Sequence, residues 1–433
     1  MKYKKYPSYK DSGVEWLGDI PENWNLLKNR HIFKTKDKVL NDKEDMTVLS
    51  LTTNGVKVKN NLSFGKSTES YVGHQMVYPG NLVFTPRDFD QTPILSGVSK
   101  YKGCISNLYL VLETNSKAYN HFVDYYWWGL KYKVNYFKNF SYGIRFSYNF
   151  EQFKEIPFLQ PPIQEQQQIA DFLDKATAKI DTLIKKQTKQ IELLKEKRQA
   201  VISHAVTKGI NPNVPMKDSG VEWLGEIPEH WGTSPLKFLI SEPLMYGANE
   251  SADRDNPNDP RYIRITDIKK DGTLHEHTFK SLPIEIAKPY LLKENSLLLT
   301  RTGATVGKSF LYEISWGVAC FAGYLIKAVI SPNKALSKYV YYFTNTPNYW
   351  QWLKSSQIQA TIENVSAEKY SSLSLPVPSL AEQRQIVEYI DDKTSKIDIL
   401  IEKSNKSIEL LKEKRTALIS AAVTGKIDVR EFE

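Results

Sequence analysis

The chain has little cysteine and no long apolar run. Its two cysteines in 433 residues, Cys104 and Cys320, lie far apart, and neither sits in a C-x-x-C pair. That usage argues against a disulfide framework or a thiolate zinc site and points to a cytoplasmic protein. No apolar stretch approaches the roughly 18 residues that span a bilayer, so no membrane is expected as a partner. The opening MKYKKYPSYKDS carries charge but no apolar core, so no signal peptide is expected there. Catalytic signatures are missing as well. There is no N-P-P-Y or D-P-P-Y tetrapeptide to hold a flipped adenine and no G-x-G-x-x-G after a strand to hold a nucleotide cofactor. No carboxylate pair with a following lysine outside the long helical runs suggests a nuclease, and the 7 histidines assemble into no triad. The expectation is a protein without catalysis, cofactor or metal.

Two motifs come close and fail. Gly303-Ala304-Thr305-Val306-Gly307-Lys308-Ser309 has one residue too few between its glycines for a phosphate-binding loop. His275-Glu276-His277 would set two imidazoles on one side of a strand, but no third ligand follows, and a solvated hairpin accounts for it.

The composition is globular, with 41% hydrophobic, 25% charged and 12% aromatic residues, and the length suits two or three domains. The formal charge of +9 admits nucleic acid, an anionic surface or an acidic protein as partner. It is unevenly placed: residues 1–160 carry +7, 161–209 carry +3, 210–378 are neutral and 379–433 carry −1.

The decisive feature is that the sequence contains itself twice. Residues 10–24, KDSGVEWLGDIPENW, return as 217–231, KDSGVEWLGEIPEHW, at an offset of 207. A longer segment starting at Ile163 returns from Leu380 at an offset of 217, both copies containing I-E-L-L-K-E-K-R. Between the short and long repeats lie two inserts, 25–162 and 232–379, in which no comparable match is found. A frame written twice implies one supporting structure built twice; two unlike inserts imply two versions of one job. The resulting division is 1–160, 161–209, 210–378 and 379–433.

The long repeats read as helices. Ile169, Leu173, Ala176, Ile180, Leu183, Gln187, Ile191, Leu194, Arg198, Val201 and Ala205 recur at steps of three and four, and Ile386, Ile390, Ile397, Leu400, Ile408, Leu411, Leu418 and Ala422 repeat the pattern. No glycine or proline interrupts either run, and Gly209 and Gly425 follow their ends. A helix of about 43 residues spans roughly 60 Å, more than an insert-sized domain can cover. The two helices are therefore expected to pair with each other, antiparallel, with Gln187 and Ser404 as polar residues in mid-seam.

The doubled K-D-S-G-V-E-W-L-G-[DE]-I-P-E-x-W, the proline-rich segments 156–162 and 375–378, and E-Q-x-Q-I leading into each helix resemble the DNA-specificity (S) subunit of type I restriction-modification systems. The resemblance covers residues 10–426. It implies two mixed α/β target-recognition domains alternating with two helices that form an antiparallel coiled coil. It also implies that each domain reads one half of a bipartite double-stranded DNA site, that the coiled coil sets the gap, and that two adenine-N6 methyltransferase (modification) subunits and the restriction (endonuclease and translocase) subunits are partners.

The residues read alone offer candidate DNA contacts. In the first insert these are Arg87, after the apolar strand 82–84, and Ser141, Tyr142 and Arg145 in a short polar loop. A guanidinium can grip guanine O6 and N7 or a phosphate, while a surface ion pair, as with Asp88, is the alternative. In the second insert residues 262–267 read as an alternating strand carrying Arg264, and 296–300 as a buried strand emptying into Arg301, Thr302 and, further on, Lys308. Gln359, Thr361 and Asn364 supply amides and a hydroxyl suited to adenine edges or phosphates. The 25 tyrosines are read as half-buried strand residues in place of stacking platforms. Two rivals remain: a self-contained methyltransferase or nuclease, disfavoured by the missing motifs, and a coiled-coil scaffold joining two protein-binding heads, which would bind independently of salt.

Overall fold

The computed structural model describes residues 3–34, 39–53, 55–60, 70–86, 95–134, 150–269, 272–303, 305–357 and 364–432. It falls into two compact units, Met1–Thr188 with Asn405–Glu433, and Lys189–Ser404. Each unit holds one insert, the front part of one long helix and the back part of the other.

The first unit includes β1 (Phe33–Lys34), β2 (Leu82–Phe84), β3 (Ser96–Val98), β4 (Gly103–Ile105), β5 (Leu110–Thr114), α1 (Asn120–Val134) and the front of the long α2 (Ile163–Lys208). The second includes β6 (Met245–Tyr246), β7 (Ser296–Thr300), β8 (Ser309–Leu311), β9 (Ala319–Phe321), β10 (Leu325–Val329), α3 (Ser337–Phe343) and the front of the long α4 (Leu380–Val423). The strand order of the main sheet is β1-β5-β2-β3 in one unit and β6-β10-β7-β8 in the other, antiparallel throughout. The two inserts, unlike in sequence, thus share one sheet order, as expected of two versions of one job. The cysteines mark the equivalence. Cys104 pairs antiparallel with Met76 and parallel with Val48; Cys320 pairs antiparallel with Leu291 and parallel with Tyr262. A faint sequence match also exists: Lys117, Ala118, Val123 and Tyr125 recur as Lys334, Ala335, Val340 and Tyr342 at the 217 offset of the long repeat.

Each sheet buries one face under its following helix and the long-helix pair. Tyr125 donates its hydroxyl to Asp174 Oδ1 at 2.6 Å, and the equivalent Tyr342 donates to Asp391 Oδ1, so each insert is fastened to its long helix by the same bond. The frame segments also repeat. Tyr9–Asp11 pairs with Asp19–Pro21 and Asn25–Lys28 with Pro157–Gln160; Met216–Asp218 and Gly232–Pro235 pair likewise with Glu226–Pro228 and Ser374–Val377.

The frame tryptophan seals the point where one long helix begins and the other ends. Trp24 is fully buried and donates Nε1 to Glu165 Oε1 at 2.9 Å, beside Tyr6 Oη at 2.6 Å and Asn23 Nδ2 at 3.1 Å from the same carboxylate. Its ring lies where a Cβ on Gly425 would come to 3.3 Å, and that glycine has φ +71°, the left-handed geometry that stops α4. Trp231 packs likewise near Gly209, whose φ is +79°. Its partner differs: Glu382 Oε2 lies 3.0 Å from His230 Nε2, and Trp231 Nε1 finds no hydrogen-bond partner among the described residues.

The long helices pair antiparallel. Arg415 Nε donates to Asp181 Oδ1 at 3.0 Å within the first unit, and Arg198 Nε to Asp398 Oδ1 at 2.9 Å within the second. Position 181 is equivalent to 398 and 198 to 415 under the 217 offset, so the two ion pairs are images of each other. Both are substantially exposed and contribute little to stability. Apolar packing holds the register: Ile169, Leu173 and Ile180 against Leu418, Ile419 and Ala422 in one cluster, Ile202 and Ala205 with Ile386 and Ile390 in the other. The expected seam needs one correction, which falls at the same place in both copies. Leu183 and Leu400 are 47% and 45% exposed, and the neighbouring Ile184 and Ile401 turn inward instead. A helix of 3.6 residues per turn drifts away from a strict seven-residue repeat, and the seam shifts by one position. Ser404 is buried and Gln187 half-buried, in mid-helix as expected.

Glu165→Ala leaves buried hydroxyl and indole donors unpaired and should cost about 3 kcal/mol of unfolding free energy. Arg415→Ala should cost less than about 1 kcal/mol. Denaturant titration of the two variants checks the order, and equal effects would contradict the clamp.

Candidate nucleic-acid interface

In the second unit β7 is buried along all five residues, flanked by β10 and β8, so its end is fixed from both sides. Beyond Thr300 the chain turns back: Thr300 N donates to Lys308 O at 2.8 Å and Gly307 N to Thr300 O at 2.9 Å. The Gly303–Ser309 motif is therefore a hairpin between antiparallel strands. A phosphate loop leads into a helix N-terminus, where this chain has β8.

The turn presents Arg301. Its guanidinium lies over the Tyr246 ring, 4.6 Å from the centroid, with Nε 3.4 Å from Asn364 Oδ1. Its backbone N–H donates to Tyr324 O at 3.0 Å, and its carbonyl accepts from Val365 N at 2.8 Å. Thr302 forms a bridge with Asn364. Arg301 and Thr302 thus form one cluster with Asn364, more than 60 positions away in sequence, with the cation held over an aromatic face. Lys308 is exposed on the returning limb of the hairpin.

Beside the cluster opens a cavity of about 960 Å³, lined among others by Asn249, Ser251, Arg264, Thr302, Gly303 and Tyr324. Arg264 lines it but is committed internally. Nε and one terminal nitrogen grip both oxygens of Asp267 at 3.0 and 2.7 Å, and that terminal nitrogen also donates to Thr278 O at 2.9 Å. Asp267 is 1% exposed, and its carboxylate raises the Arg264 guanidinium above its ordinary range. This grip also corrects the expected strand over 262–267. The strand ends at Ile263, and Ile265–Asp267 form a 3-10 turn, because the Asp267 side chain accepts the Arg264 N–H at 2.8 Å and closes the turn. Glu276–Thr278 is likewise a short 3-10 turn and not a strand, with the His275 and His277 rings 5.0 Å apart. Among the described residues no group of three His, Cys, Asp or Glu side chains is placed to hold a metal. Also among them, no helix is long and apolar enough to cross a membrane.

Tyr246, Asn249 and Tyr324 belong to this surface and escaped the sequence reading. Their signal was the adjacent glycines. A Cβ on Gly247 would lie 2.3 Å from Ala322 O, and one on Gly323 would lie 2.0 Å from Asn249 Oδ1, so two backbone segments meet here at a distance only glycine allows. Gln359 and Thr361 lie outside the described residues, as do Arg87, Ser141, Tyr142 and Arg145 in the first unit.

The two arginines should separate by stability. Arg264→Ala strands a buried carboxylate and should lower unfolding free energy by about 2–3 kcal/mol, whereas Arg301→Ala should cost under about 1 kcal/mol. Thermal melts of both variants decide it; an Arg301 variant as unstable as the Arg264 variant would make the cluster structural.

A family profile described as Type I restriction modification DNA specificity domain matches the chain twice, over residues 17–193 and 243–410. The MjaVIII type I restriction enzyme specificity subunit of Methanocaldococcus jannaschii is 24% identical over 338 residues, covering 76% of each chain. A solved chain from work on complex assembly and conformational transition of the type I R-M system superposes with a TM-score of 0.68 at 13% identity, covering 93% of this chain and 98% of that one. The HsdS subunit from Thermoanaerobacter tengcongensis does so at 0.53 and 14%, covering 94% and 98%. These two likenesses establish a shared fold.

Proposed function

Because the chain belongs to the type I restriction modification DNA specificity domain family, we propose that it is the DNA-specificity subunit of such a system, reading a bipartite duplex site with one unit per half-site. The observation that carries the reading is the double one: the family profile matches twice, and the two matched regions share one sheet order built from inserts of different sequence. A chain that repeats its support and varies its exposed loops is suited to recognising two different sequences in one way. Catalysis falls to partners, two adenine-N6 methyltransferase subunits and the restriction subunits, in the cytoplasm. In the second unit Arg301, Thr302, Lys308 and Asn364 are the proposed contacts. Arg301 supplies the planar fork that fits guanine or phosphate, and Arg264 holds the floor beneath it. In the first unit Arg87, Ser141, Tyr142 and Arg145 are the proposed contacts, where the segment charge of +7 adds a phosphate attraction that the neutral second insert lacks. The paired long helices act as the ruler between half-sites.

Two experiments test this in complexes with the methyltransferase subunits. Arg301→Ala should lower discrimination at one half-site by about tenfold and leave the other untouched; equal loss at both would indicate a docking defect. Inserting one heptad after Gln187 and one after Ser404 lengthens the helix pair by about 10 Å, which should widen the unread gap by about three base pairs. An unchanged gap would remove the ruler.

A further inference from the structure

The equivalence of the two units extends beyond their strands. Leu110 stands opposite Phe84 in the β5–β2 register, and Ile326 stands opposite Leu299 in the β10–β7 register. The segments 103–114 and 319–330 then align without a gap at an offset of 216, which places Cys104 with Cys320 and Leu108 with Tyr324. Leu108 is 56% exposed and Tyr324 63% exposed. Each sits in the short turn that enters the central strand of its sheet, one on the β4–β5 connection, the other on β9–β10. The β5–β2 pairs end at Leu110 and Phe84, and the same register continued by two positions would set Leu108 level with Pro86; the equivalent position in the second unit sets Tyr324 level with Arg301, to whose N–H its carbonyl is bonded.

Both turns are tethered. In the first, Gln75 Nε2 donates to Ser106 O and to Tyr109 O, each at 2.8 Å. In the second, Ala322 N donates to Ile263 O at 2.9 Å and Gly323 N to Ala248 O at 2.7 Å. A tethered turn that holds a large apolar side chain in solvent is costly to explain by folding, and it occurs twice at one register position with different residues. Single exposed apolar residues are ordinary; the same one placed in both copies beside the proposed DNA-contacting end of the sheet is not accounted for by chance exposure.

We propose that Leu108 and Tyr324 are specificity-determining residues, one for each half-site, making apolar contact with a thymine 5-methyl group in the major groove. This rests on the reading of the chain as a DNA-specificity subunit. The chemistry follows from the groove: among base edges there, the thymine methyl is the apolar feature, and a rigid apolar side chain is the group that reads it. Arg301 and Tyr324 then act together in the second unit, a polar reader and an apolar one on adjacent strands. In the first unit Pro86 occupies the place of Arg301, so Leu108 carries the apolar part without that cation beside it.

The test uses the complex with methyltransferase subunits and duplexes in which single thymidines of the recognised site are replaced by deoxyuridine, which lacks only the methyl group. With the unaltered chain, one replacement in each half-site should weaken binding about five- to tenfold. Leu108→Ala should abolish that sensitivity in the first unit's half-site alone, and Tyr324→Ala in the other alone. The untouched half-site reports that each variant is folded and docked. The exchanges Leu108→Tyr and Tyr324→Leu, which keep side-chain bulk, should reduce affinity for the original base pair at the same positions and nowhere else. Deoxyuridine sensitivity that persists in both alanine variants, or a loss of affinity uniform over all sequences, overturns the inference while leaving the specificity-subunit reading intact. A complex that prefers no bipartite site at all defeats that reading instead.

Discussion

The constraint on which the rest depends is that each long helix carries more apolar seam than one insert can cover. Its front part is buried in one unit and its back part in the other, and in each unit the seam closes on the opposite long helix. The duplication makes this self-consistent. Asp181 and Arg198 on the first helix meet Arg415 and Asp398 on the second, and each pair is the other's image. A sequence written once and copied can therefore satisfy both halves of an antiparallel pair with the same residues. The frame segment completes each joint, with Trp24 or Trp231 set against the end of one long helix and near the start of the other. The copies have diverged where that did not break the joint: Glu165 holds three donors, whereas Glu382 faces His230.

Much of this was legible because periodicity and repetition are local signals. The helices, their glycine stops and the buried strand 296–300 follow from residue spacing alone. What was missed depended on burial and helix phase, which residue spacing does not show. Leu183 was assigned inward and Ile184 left aside because a fixed heptad ignores helix drift. Arg264 looked like a free reader, since nothing in Tyr262–Asp267 shows that Asp267 would be buried and in need of a cation. The inserts were expected to be two domains of one class, but their residue-level match was missed, although a trace was present: Cys104 and Cys320 are 216 apart, one short of the long repeat's offset, and they occupy the same place in two sheets.

Charge took a different meaning in three dimensions. The second insert is neutral in sum, and several of its cations are paired in place: Arg261 with Glu276, Arg264 with Asp267, Lys293 and the buried Lys327 with Glu242. Such pairs shape the scaffold. Arg301 is of another kind, held over an aromatic ring beside a cavity. The proposed recognition on this side would rest on where one cation is placed, not on how many there are, while residues 1–160 keep a net basic excess.

As a DNA-specificity subunit the chain should read two different sequences, one with each unit. The most direct measurement is the mapping of N6-methyladenine across the DNA of cells that express this chain with its methyltransferase subunits. Methylation confined to one motif of two specified blocks, with a constant number of unread positions between them, is the expected result. An uninterrupted motif, or two blocks at a variable distance, would contradict it.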